Sequence, residues 1–228
     1  MSDSTGWIVL IGMFVAAAFF AFWNARLRRS AQQRLATLGF APCPGEEAAL
    51  ASAWRDLCAA VGSERTVRIE GCLRKPAGWG MVHAFDVHDE THDGSSQSGR
   101  AHVGASWPAY LLDLREPAAL HSAPVALYFA KSESRIWREI LRNLTGLSET
   151  GAQLERGGHP WSAQIFAAFG RTPGKLDEIV PPAVQQELAR AAEHGFLSVH
   201  LANGKAAFSV LPARRDVDRE WTFLSRWC

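Results

Sequence analysis

FLSVHLANGKAAFSVL, residues Phe196–Leu211, decides the fold class. Two runs rich in Phe, Val, Leu and Ala flank the dipeptide Asn203-Gly204. A two-residue type I′ turn needs positive φ at both central positions, and Asn followed by Gly tolerates this best. The stretch therefore reads as a β-hairpin, closed by Pro212. Just before it, Pro181 and Pro182 open a helix at its first positions, where a missing N–H does no harm. Val184, Leu188 and Ala191 form that helix's apolar face, and Gly195 stops it. Just after the hairpin, Asp216, Asp218 and Glu220 lead into a final amphipathic helix with Val217, Trp221, Leu224 and Trp227 on one side.

Working back towards the N-terminus, strands and helices come in blocks. Trp161–Phe169 reads as a strand followed by a turn at Arg171–Gly174, and residues 147–160 are polar and Gly-rich, a loop or linker. Ser132 caps a helix carrying Ile136, Trp137, Ile140, Leu141 and Leu144, and Val125–Phe129 is a strand. From Thr66 to Leu73 the period is 2, with Val67, Ile69, Gly71 and Leu73 alternating with Arg68, Glu70 and Cys72. A turn at Lys75–Gly78 leads to a long strand, Trp79–Glu90. Its partner, around Ala101–Trp107, returns after the polar tip Asp93–Gly99; Pro108 breaks it, and Tyr110–Leu114 makes another short strand. Pro44-Gly45-Glu46-Glu47 opens a helix that buries Leu50, Trp54, Leu57, Cys58 and Val61 and ends at Gly62. Hairpins joining most strands, with helices in separate blocks, predict an α+β fold with an antiparallel sheet.

The N-terminus is of another kind. Trp7–Trp23, WIVLIGMFVAAAFFAFW, holds seventeen residues without a charge. As a helix it spans about 25 Å against a hydrocarbon core of about 30 Å, and a Trp at each end matches the aromatic belt of a bilayer. It reads as a transmembrane helix. Arg26, Arg28, Arg29 and Arg34 follow it and only Asp3 precedes it, so the positive-inside rule places the N-terminus outside and the rest of the chain in the cytoplasm. A cleaved signal peptide would carry its charge before the apolar run and a small-residue site after it. Leu27, Ala31, Leu35 and Leu38 continue one helical stripe up to Gly39, and this stripe needs a partner, within the chain or beyond it. The expected organisation is residues 1–39 as anchor and membrane-proximal helix, and residues 40–228 as one cytoplasmic α+β domain, or at most two small ones, with an internal loop or linker at 147–160.

A net charge of +1 gives no electrostatic basis for binding nucleic acid. The cysteines Cys43, Cys58, Cys72 and Cys228 form no CxxC pair, so neither a zinc ribbon nor a thioredoxin-like site is indicated. Cytoplasmic placement predicts reduced thiols, with Cys58 and Cys72 in the core; an inverted topology would predict disulfides.

No phosphate-binding loop and no nucleophile elbow is present. The one polar constellation is residues 83–92, HAFDVHDETH. As a strand it places Asp86, His88, Glu90 and His92 on one face and Phe85 and Val87 on the other; His88 with Glu90, or Glu90 with His92, and His102 from the returning strand as a third ligand, form a weak metal-ligand set. A solvated strand surface explains the same pattern. Asp86, Glu90 and Asp113 are the acids a hydrolytic carboxylate pair would draw on. Trp79, Trp107, Trp161 and Trp227, each beside a Gly, a Pro or a chain end, are either lids on the core or a partner-binding patch.

The order of anchor, short helix, strand pair around AFDVHDETHDGSSQSGRAHVGASWPAYLL (84–112) and WSAQIFAAFGRTPGKLDEIVPPAVQQELARAAEHGFLSVHLANGKAAFSVLP (161–212) resembles that of bacterial membrane-anchored proteins of uncharacterised families. The resemblance spans roughly residues 65–225. It implies no activity and transfers no site residue. The expected role is a non-enzymatic scaffold or interaction module on the inner membrane, with the lipid bilayer and a protein partner or second copy as its contacts and no cofactor. The competing readings are a membrane-anchored hydrolase or metal-dependent enzyme using residues 83–92, and a lipid- or small-ligand-binding domain.

Overall fold

The computed structural model describes residues 3–63, 66–78, 80–89, 106–114, 124–129, 152–156, 160–162, 165–210 and 215–227. Its first element is one continuous helix, α1 (Asp3–Thr37). Gly39 ends it at φ +90° in a Schellman motif: Gly39 N–H donates to Ala36 and Phe40 N–H to Leu35, and the Leu35 and Phe40 side chains are both buried. Among the described residues no helix is long and apolar enough to cross a membrane. Six side chains within 7–23 (8–10, 17, 20 and 21) lie outside the described ones.

The strands are β1 (Ala41–Pro42), β2 (Val67–Ala77), β3 (Gly80–Asp89), β4 (Ser106–Asp113), β5 (Val125–Phe129), β6 (Ala152–Gln153), β7 (Ile165–Gly170), β8 (Phe196–Ala202) and β9 (Lys205–Val210). They form one sheet in the order β1-β2-β3-β4-β9-β8-β5-β7-β6, with every neighbouring pair antiparallel. With the helices α2 (Glu47–Ala60), α3 (Leu176–Ile179), α4 (Pro182–Glu193) and α5 (Val217–Leu224), the class is α+β with a large antiparallel sheet. The β8–β9 hairpin sits mid-sheet between β4 and β5, and its turn residues Asn203 and Gly204 have φ +53° and +73°, the type I′ pattern.

Each sheet face has its own cover. Val82, Ala84, Tyr110, Leu112, Phe208 and Val210 face the lower half of α1, α4 and α5, where Ala31, Leu35, Leu188, Phe223 and Leu224 are buried with them. On the other face α2 places Leu50, Trp54, Leu57 and Cys58 over Ile69, Phe85, Val87, Trp107, Ala109 and Leu111. The Leu27–Leu38 stripe therefore finds its partner inside the chain: Ala31 and Leu35 join the core, with Leu27 and Leu38 half-buried beside them.

Several local expectations change. Gly71, at φ +64°, is a β-bulge between Glu70 and Leu73, and the extra residue reverses the alternation of β2. Cys72, which strict alternation would place with Arg68 and Glu70, is consequently buried on the same side as Val67 and Ile69, in the core as expected. Pro108 does not break the chain; it lies inside β4 opposite Asp86. Pairing of β4 with β9 begins one residue later, at Ala109, so on that side no ladder bond depends on the missing Pro108 N–H. Trp161 belongs to a short 3₁₀ turn (Pro160–Ser162), and the strand starts at Ile165. The loop expected over 147–160 contains β6 and the buried Leu154. The helix expected after Ser132 and the hairpin tip at 93–99 lie outside the described residues.

Candidate functional site

Of the metal-ligand set read from the sequence, only His88 lies among the described residues. His88 lies on β3 between Arg68 and Ser106, and its Nε2 is 3.0 Å from Glu70 Oε2. Glu90, His92 and His102 lie outside the described residues. The alternation of β3 is as expected, with Phe85 and Val87 in the core, but its other face is not solvated: α1 crosses it, and Asp86 is buried. Asp113 pairs with Lys205 rather than with another acid. Trp107 and Trp161 are buried and Trp227 packs against Phe208, so these three are core lids; Trp79 is outside the described residues.

Two polar clusters stand out instead. The first lies where α1 meets the domain. Arg28 donates from Nη2 to Ser106 Oγ at 2.8 Å, and its Nη1 is 3.9 Å from Asp86 Oδ2. One turn and a half further on, Arg34 binds both carboxylate oxygens of Asp218 on α5 from Nε, at 2.9 Å each. Of the arginines read as topology signals, Arg26 and Arg29 are exposed, whereas Arg28 is half-buried in this contact. A cavity of about 70 Å³ lies beneath, lined by Asn24, Arg28, Asp86, Ser106 and Arg215.

Behind that cavity is a buried ionisable group of three. Glu220 is 1 % exposed; its Oε2 accepts from Tyr110 Oη at 2.7 Å and its Oε1 from the Asp216 backbone N–H at 2.8 Å. Arg215 Nε is 3.6 Å from Glu220 Oε2 and makes no hydrogen bond. Burial raises the Glu220 pKa, with Arg215 and Tyr110 opposing. Burial also raises that of Tyr110, and the Glu220 charge adds to the effect. For Arg215 burial acts against the charge, but Tyr110, Glu220 and Asp86 together outweigh it and the pKa rises.

Glu220 was readable in the sequence and was missed there. It lies three residues after Val217 and three before Phe223, on the apolar stripe of α5. Because its folded pKa is raised, the folded state holds a proton at a pH where the unfolded chain has lost it. Stability from this group is thus lost as pH rises through the folded pKa and recovered below it. Glu220→Gln removes the titration and keeps acceptor capacity for Tyr110 or the Asp216 N–H. Melting temperatures of both proteins from about pH 4 to 8 should diverge, the variant gaining on the parent as pH rises. Parallel curves would refute the assignment.

The second cluster lies midway along β2, on the α2 face of the sheet. Cys43 follows β1, and its N–H donates to Cys72 O at 3.1 Å. The two cysteines are joined as a disulfide, with Cα atoms 5.6 Å apart, which corrects the expectation of reduced thiols. The bulge at Gly71 is the physical reason, since it turns Cys72 inward towards Cys43. Glu46 stands beside the pair, held by Arg74 at Oε1 and by His83 Nε2 at 3.0 Å from Oε2. Among the described residues, Cys43, Glu46 and Cys72 are the one group of three metal-type donors, all within 4.8 Å of one another. A groove of about 250 Å³ runs from Glu46 and His83 along α2 past Leu50, Ala53 and Leu111 to Lys205.

No family model, curated protein or solved structure matches the chain.

Proposed function

We propose that the chain is a single-pass protein of the bacterial inner membrane, anchored by Trp7–Trp23, whose cytoplasmic α+β domain is a non-enzymatic interaction module coupled rigidly to its anchor. One observation carries this reading. Among the described residues, the exposed large hydrophobic ones, Trp7, Ile11, Met13, Phe14, Val15, Phe19, Phe22 and Trp23, all lie in the upper half of α1, while the lower half of the same helix is part of the core. Consecutive exposed positions such as Met13, Phe14 and Val15 point to different sides, so an apolar surround serves all of them, as lipid does. The arginine contacts to Ser106, Asp86 and Asp218 fasten the helix to the domain just below that segment. Arg26, Arg28, Arg29 and Arg34 favour the cytoplasmic side. In that compartment a Cys43–Cys72 disulfide is a transient, redox-responsive bond rather than a permanent staple.

The test is extraction of membranes with alkaline carbonate. The full chain is expected in the pellet, and a chain lacking residues 2–23 in the supernatant. Release of the full chain by carbonate would overturn the anchor. Protease added to spheroplasts should leave the domain intact, and its digestion would overturn the cytoplasmic placement. Cross-linking in the membrane should capture a partner or a second copy; a chain that stays monomeric and uncross-linked would count against the interaction module.

A further inference from the structure

We propose that the reduced form of the Cys43–Cys72 pair, together with Glu46 and His83, binds a divalent cation of the zinc class, and that closing the disulfide expels it. The inference goes beyond the anchored-module reading and does not depend on it. It begins with local geometry. Cys43 and Glu46 are separated by Pro44-Gly45, and Gly45 at φ +92° lets the chain turn so that Glu46 N–H reaches back to Cys43 O at 3.4 Å. Two intervening residues in a tight turn is the separation by which paired ligands of zinc sites converge. The Gly71 bulge brings Cys72 to the same point from β2, so the three donors lie within 4.8 Å.

The fourth donor, His83, stands beside Glu46 and outside the cluster of three. Two ligand atoms on a tetrahedral zinc, each about 2.0–2.1 Å from it, sit about 3.3 Å apart. Glu46 Oε2 and His83 Nε2 are 3.0 Å apart, so a cation inserted between them asks for a shift of a few tenths of an ångström, while the sulfurs must separate. Charge fits as well. Two thiolates, one carboxylate and a dication sum to a single negative charge, and Arg74, already on Glu46 Oε1, offsets it. Both cysteines are almost fully buried, and they pack in the cluster of Leu50, Trp54 and Leu57, which limits water around the site. A neutral disulfide makes no use of an imidazole and an Arg-held carboxylate at its side; a thiolate-bound cation uses both.

The chemistry balances with a dithiol reductant. Exchange with that dithiol breaks the Cys43–Cys72 bond, gives two thiols and leaves the reductant as its own disulfide. Binding of the cation then releases the two thiol protons. In the reverse direction a partner disulfide takes the two electrons, the Cys43–Cys72 bond forms, and the cation leaves. Cys58, buried in α2, takes no part in the pair.

The experiment uses the full chain in detergent, reduced with a phosphine, freed of metal and titrated with Zn²⁺ against a chromophoric chelator. About one equivalent should bind, with proton release, and the disulfide form should bind none. Co²⁺ in place of Zn²⁺ should show thiolate-to-metal charge transfer and a tetrahedral ligand-field spectrum, which requires no variant. Cys43→Ser and Cys72→Ser should each weaken binding at least about 100-fold, and Glu46→Gln and His83→Ala at least about 10-fold, in proteins whose metal-free circular dichroism matches the parent. A reduced chain that takes up no Zn²⁺ overturns the proposal. So does binding that survives in either serine variant, or equal binding by the disulfide form. Unchanged affinity in both Glu46→Gln and His83→Ala overturns the assigned ligand set.

Discussion

Arg215→Met is expected to lower the melting temperature by about 6–20 °C. Removing one partner of a buried ion pair usually costs about 3–5 kcal/mol, and in a domain of this size each kcal/mol moves the midpoint by about 2–4 °C. The cost arises because Glu220, on the apolar side of α5, loses its counter-charge and is left with Tyr110 and the Asp216 N–H. Asp86 also loses a favourable neighbour, although Arg28 remains 3.9 Å away. The double variant Arg215→Met/Glu220→Gln leaves no charge of this pair to be stranded, and the Gln still meets Tyr110. It should recover part of the loss, with a coupling in the range of about 0.5–3 kcal/mol found for residues in contact. Since the geometry of the pair is loose at 3.6 Å, the double variant has little attraction to give up. Simple additivity of the two single losses in urea titrations would show that the two side chains do not act as a unit.

Phe223→Ala should cost a similar amount, about 3–5 kcal/mol. Phe223 is fully buried, and its ring lies 5.1 Å from those of Phe196 and His194, 5.6 Å from Phe208 and 6.0 Å from Trp227. Phe196 and Phe208 belong to the central hairpin and cannot move inward without breaking its register, so a cavity would persist. The damage should also reach α1, which packs on α5 and is tied to it through Arg34 and Asp218. Hydrogen exchange of the Ala31–Leu38 amides should therefore quicken in this variant more than that of the α2 amides. Equal protection of both segments would contradict the coupling of α1 to the domain through α5.

Much of this architecture is local enough to be read residue by residue. The hairpin at Asn203-Gly204, the helix opened by Pro181-Pro182, the α2 face and the β5 strand each rest on turn chemistry or on periodicity within one element. What escaped the sequence depends on register between distant segments. Gly71 could be an ordinary strand residue or a bulge, and only pairing with β3 distinguishes them; that one residue decides whether Cys72 meets Cys43 or water. Asp86 looked solvated because nothing in residues 83–92 says that a helix starting at Asp3 will lie across them. Glu220 is different. Its position between Val217 and Phe223 marks it as a polar residue on an apolar stripe, and an acid in an N-terminal turn was too ready an explanation for it.

The ends of the sheet have a consequence for behaviour on a surface. Among the described residues each terminal strand is two residues long, and one of them, β1, includes Pro42, which has no N–H to offer. Chains anchored as proposed diffuse in a plane and share one orientation, so they meet far more often, and better aligned, than the same chains in bulk solution. A long bare strand under those conditions would seed edge-to-edge polymerisation. The outermost strands are too short to template such growth, and the part of β2 that β1 leaves without a strand neighbour carries Arg68, Glu70 and Lys75, charges that disfavour pairing with a like strand, so that crowding in two dimensions is steered away from fibre growth.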